Sequence, residues 1–91
     1  MSGPKNILFK SKEMKSSQEI ADFFRKLADK MDNNQFTLKQ GDQEVNIDLP
    51  HSSIEFELEL EEKSKSRGIK REFEIEMEWY ENSGEGPVEL V

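Results

Sequence analysis

The apolar positions of the chain change their period along its length, and the changes mark out its elements. Ile7, Leu8 and Phe9 form a continuous run within Asn6 to Lys12, which predicts a short strand whose facing nothing specifies. From Ile20 the period becomes helical. Ile20, Phe23, Phe24, Leu27, Ala28 and Met31 recur at steps of three and four, with Asp22, Arg25, Lys26, Asp29 and Lys30 between them, as on a helix with one apolar stripe. Ser16 precedes Glu19 by three residues, the spacing at which a hydroxyl caps the helix start and the carboxylate returns a bond to the cap's amide. The helix is predicted to begin there and to end near Asn33 and Asn34.

After the helix the period shortens to two. Phe36 and Leu38 alternate with polar residues up to Gly41-Asp42, and Val45, Ile47 and Leu49 alternate beyond it, which predicts a hairpin. A two-residue turn at Gly41-Asp42 sets Leu38 against Val45 and Phe36 against Ile47 on one face, and Lys39 against Glu44 on the other. Apolar and charge pairing agree in this register, and a slip of one residue destroys both. Pro50 to Ser53 should be a connection, because proline lacks the ladder donor. From Ile54 the alternation is stricter. Ile54, Phe56, Leu58 and Leu60 share one face with Glu55, Glu57, Glu59 and Glu61 opposite, and after a loop around Lys63 to Gly68 the pattern returns. There Ile69, Phe73, Ile75, Met77 and Trp79 oppose Glu72, Glu74, Glu76 and Glu78, with Arg71 breaking the apolar parity near the loop, where its guanidinium can turn to water.

The order β-α-β-β-β-β with short connections implies an α+β fold, one amphipathic helix packed on a mostly antiparallel sheet of about five strands. The expected organisation is a disordered stretch at 1–5, a single domain over 6–81 and a flexible tail at 82–91. One helix is about 10 Å across and five strands about 20 Å, so part of the apolar sheet face needs another cover. Sheet twist, Val88 to Val91 folding back, a homodimer, or a bound apolar ligand or peptide would each serve.

Composition narrows the functional classes. Leu, Ile, Val and Phe make up 22 of 91 residues, about 24%, above the ~20% where disorder is the default, so a small folded core is expected. There is no cysteine, hence no disulfide, thiolate metal site or cysteine nucleophile. Three consecutive apolar residues near the start are too few for a secretory or membrane segment, and the expectation is a cytoplasmic protein without membrane contact. The charge is uneven. Up to Pro50 there are 8 acids and 8 bases, and after it 12 acids against 5 bases, so the whole net charge of -7 lies in the second half. That balance disfavours nucleic acid, since the main basic cluster is Lys63, Lys65, Arg67, Lys70 and Arg71, read here as a solvated hairpin loop beside acidic strands.

The residues also resemble a known family. Leu8-Phe9 followed by Ser11, then Ser16 to Glu19 opening Ile20-Ala21, then Leu27 to Met31, Leu38 with Gly41, Val45 to Pro50, and the alternating Phe73 to Trp79 together look like the amphi-Trp domain family over residues 7 to 80. The resemblance implies a small archaeal or bacterial domain and brings no reaction, ligand or catalytic residue with it.

Candidate chemistry centres on the glutamate face. If the last two strands pair, glutamates stand side by side at ~5 Å, an arrangement that destabilises a sheet unless water and salt screen it. Three readings follow: a solvated face that keeps the sheet soluble, a docking surface for a basic protein formed by Glu57, Glu59, Glu74 and Glu76 with Trp79 at its margin, or a divalent-cation site. A flat strand surface lacks the loop that gathers six or more oxygens around calcium. Paired carboxylates also need a cleft to act as acid and base, so no enzyme, catalytic residue, metal site or cofactor is expected. His51 is the single histidine and follows Pro50, as a loop residue would. The resulting expectation is a non-enzymatic interaction module with a basic protein partner or a homodimer. The alternative is a small-molecule or cation-binding protein using the uncovered apolar groove or the glutamate face.

Overall fold

Ser16 opens the helix α1, Ser17–Met31, in extended backbone (φ -74°, ψ 161°). Its hydroxyl oxygen accepts from the Glu19 amide at 3.1 Å, and its own amide donates to Glu19 Oε1 at 3.1 Å, so the predicted capping box is formed. Lys30 in the last turn complements the negative end of the helix dipole. The end lies two residues short of the expected limit. The amides of Asn33 and Asn34 bond to the Lys30 and Met31 carbonyls in a tightened turn, and Asn34 takes a positive φ of 59°, a conformation asparagine tolerates.

A computed structural model describes residues 3–81 of the chain, and these divide between Leu49 and Pro50 into two compact units. The tail at 82–91, with Val88 to Val91, lies outside the described residues, as do the first two residues.

In the first unit, α1 packs along β1, Gln35–Gln40, which pairs antiparallel with β2, Gln43–Asp48. The register is the predicted one, with Phe36 opposite Ile47, Leu38 opposite Val45 and Lys39 opposite Glu44. Gly41 carries the turn at φ 56°, where a side chain would be strained. On the polar face Thr37 donates to Asn46 Oδ1 at 2.6 Å. Leu49 follows β2, donates its amide to the Asn34 carbonyl at 2.7 Å and is the buried apolar residue of the unit, 7% exposed. Around it Leu27, Met31, Phe36, Leu38, Val45 and Ile47 are half-buried. Phe23 and Phe24 meet edge to face at 6.0 Å and remain nearly half exposed.

The predicted strand at Asn6 to Lys12 does not form, so there are four strands rather than five. Its three apolar residues lack the alternation that would give it a buried face, and Ile7 and Leu8 are exposed. The Lys10 backbone bonds the Gln43 side chain instead of a neighbouring strand, at 3.5 and 3.4 Å. The four strands form two separate two-stranded sheets, each a local hairpin. Pro50 and the bend at His51 and Ser52 interrupt the chain between them.

The second unit is the hairpin of β3, Glu55–Lys65, and β4, Gly68–Glu78. Its turn is tighter than expected. Only Ser66 and Arg67 lie outside the ladder, with Gly68 at φ 127°, so Lys63, Lys65, Lys70 and Arg71 are strand residues rather than a loop.

Candidate functional site

Each of the two strands of the second unit alternates glutamate with an apolar residue, and the register aligns like with like. One face carries the pairs Glu55/Glu78, Glu57/Glu76, Glu59/Glu74 and Glu61/Glu72, then Lys63/Lys70 toward the turn. The four glutamates singled out from the sequence, Glu57, Glu59, Glu74 and Glu76, thus form two adjacent rungs of one ladder. All four are exposed. Charge along this face is polarised. Lys63 reaches Glu61 at 3.9 Å and Glu72 at 3.6 Å, and Lys70 reaches Glu72 at 3.5 Å, so the cations neutralise the rung nearest the turn. Lys63 first and Lys70 second hold the Glu72 carboxyl below the ordinary value of 4.5. The rungs from Glu59/Glu74 to Glu55/Glu78 have no ion-pair partner among the described residues.

The opposite face carries Phe56/Met77, Leu58/Ile75 and Leu60/Phe73, followed by Glu62/Arg71 and Ser64/Ile69. Arg71 is exposed, as expected, and is also held by a cross-strand partner. Its Nη2 lies 3.1 Å from Glu62 Oε1 and its Nε donates to the same oxygen at 3.2 Å. Glu62 also breaks the apolar parity of its strand, and the doubled Glu61-Glu62 in the sequence is the signal that marks this cross-strand pair. Most of the apolar face is open. Phe56 is 61% exposed, Leu60 69% and Phe73 63%, because two strands alone have no layer to pack against.

Trp79 lies one residue beyond β4, on the parity of Met77 and therefore with the apolar side chains rather than among the glutamates. It is half-buried and lines a recess with Ser53, Met77 and Tyr80. A second recess, of about 770 Å³, lies in the first unit between Phe9, Ile20, Phe23 and Leu38. Among the described residues no three His, Cys, Asp or Glu side chains converge as metal ligands, and no helix is long and apolar enough to cross a membrane.

An α+β chain ending in a ribbon with one acidic and one apolar face, closed by a tryptophan, is the class this geometry defines. The chain belongs to the Amphi-Trp domain family, whose model matches residues 3–90. No curated protein sequence and no solved structure shows a match to it.

Proposed function

We propose that the chain is a non-enzymatic protein-interaction module whose β3–β4 glutamate face receives a basic partner. The observation that carries this reading is the register: the rungs Glu55/Glu78, Glu57/Glu76 and Glu59/Glu74 hold like charges side by side, with no cation of the described residues within ion-pair reach. Like charges placed opposite each other weaken a hairpin, and a cationic partner relieves that repulsion when it docks, so binding gains what folding gave up. Acid-base work by these carboxylates is disfavoured, since they stand on an open strand surface rather than in a cleft that would set two pKa values apart. The same openness weighs against a cation site, which needs oxygens arranged around the ion.

The test is calorimetric titration with a decalysine peptide at low and raised salt. The wild-type chain should bind and lose affinity as salt rises. Reversal of Glu57, Glu59, Glu74 and Glu76 to lysine should abolish binding, whereas reversal of Glu13, Asp29, Asp42 and Glu44, the same change in net charge, should preserve most of it. Equal loss from both variants would reduce the effect to net charge and remove the ladder as a site.

A further inference from the structure

The apolar face of the β3–β4 ribbon is separate from the glutamate ladder, and a basic partner on the ladder leaves it open. The geometry points to a second copy of this chain as its cover: two ribbons stacked apolar face to apolar face, antiparallel, about a two-fold axis perpendicular to the strands at the level of Leu58 and Ile75.

Three observations select this occupant. The first is area. Phe56, Leu58, Leu60, Phe73 and Ile75 are 42% to 69% exposed. With Met77 and Trp79, and on the order of 100 Å² per side chain, the face offers roughly 700 Å² per chain, close to the ~800 Å² that each partner of a stable interface contributes. The second is the order of residues along the face. From the open end, Ile54 and Trp79 flank the ladder, and its rungs then run Phe56/Met77, Leu58/Ile75, Leu60/Phe73 and Glu62/Arg71. Turned end for end and laid across the ~10 Å gap of packed sheets, the copy sets Phe56 over Leu60, Met77 over Phe73 and Trp79 over Arg71. Each large ring meets an aliphatic or thioether side chain, and the cation that interrupts the apolar face meets the indole, a favourable cation–π pair at both ends. An isologous two-fold contact requires this kind of self-complementarity.

The third observation is charge. Lys63, Lys65, Arg67 and Lys70 lie at the turn end, and Glu55, Glu57, Glu76 and Glu78 at the open end. A parallel stack would superpose like ends. The antiparallel stack sends the two basic turns to opposite ends of the pair, each beyond the open end of the other ribbon, and leaves both glutamate faces pointing outward into water. Pairing through the strand edges would leave the apolar face uncovered.

Light scattering at about 1 to about 300 µM protein should show mass rising from the 10.6 kDa of the chain toward twice that value. Leu58→Glu, at the axis, should hold the chain at monomer mass over the whole range, and Arg71→Gln should weaken dimerisation several-fold. Circular dichroism checks that each variant retains its strands. Glu57→Gln with Glu59→Gln, on the outer face, should leave the dimer intact. The chain has no cysteine, so a spin label at Ser66→Cys reports only on the assembly. Antiparallel ribbons should set the two labels roughly 50 Å apart, and parallel ones within about 20 Å. Monomer mass throughout, an Leu58→Glu variant that dimerises like the wild type, or a short label distance would each overturn the assignment.

Discussion

Ser16 and Glu19 show how two residues can fix where an element starts. The hydrogen bond from the Ser16 amide, reinforced by its hydroxyl, holds the Glu19 carboxyl below the ordinary 4.5. A carboxyl depressed in the folded state stabilises fully above its unfolded value, and that contribution is lost as pH falls through the folded value. Ser16→Ala should therefore cost about 1 kcal/mol at neutral pH, read from urea denaturation midpoints. Glu19→Gln should be less stable than the wild type at pH 7, and the gap should narrow as pH falls below 4.5. A gap that stays constant would mean that the carboxylate charge contributes nothing to the cap. Arg71 illustrates the same scale on a strand. Its departure from the apolar parity is visible in the sequence, as is that of Glu62, but their pairing is not, because a cross-strand pair exists only once the register is set.

For whole elements, legibility followed the strength of the local pattern. The helix and the register of β1 with β2 could be read because Ser16, Gly41-Asp42 and the apolar stripe all specified one arrangement. The segment Asn6 to Lys12 forms no strand, because high apolar content without alternation does not say which face to bury. The turn of the second hairpin is shorter than its charge suggests, since Lys63 to Arg71 look like a loop whereas the ladder continues to Lys65 and resumes at Gly68. The glutamate ladder was legible residue by residue, but the polarity of the ribbon was not. Relieving the repulsion should raise stability. Glu59→Lys faces Glu74 and turns a repulsive rung into an attractive one, which should stabilise the fold by roughly half a kcal/mol in a urea titration while weakening decalysine binding. Stability that falls on this substitution would show that the ladder is not under electrostatic strain.

Over the whole molecule, the net charge of -7 and the scarcity of buried side chains act together. Net charge opposes association while exposed apolar area favours it, and a face covered by association makes stability depend on concentration. The thermal midpoint should rise with protein concentration for the wild type and stay fixed for Leu58→Glu, as differential scanning calorimetry would show. A midpoint independent of concentration in both would place the cover of that face elsewhere.

The topology also has a kinetic consequence. Every strand pairs with its immediate neighbour in the chain, so the widest ladder closure is that between Glu55 and Glu78. Loops this short close quickly, and hairpins form in roughly 1 to 10 µs. Each ribbon can thus zip soon after its second strand leaves the ribosome, without waiting for a distant segment. If two chains pair through their apolar faces, that assembly, which depends on diffusion and abundance, is the slow step.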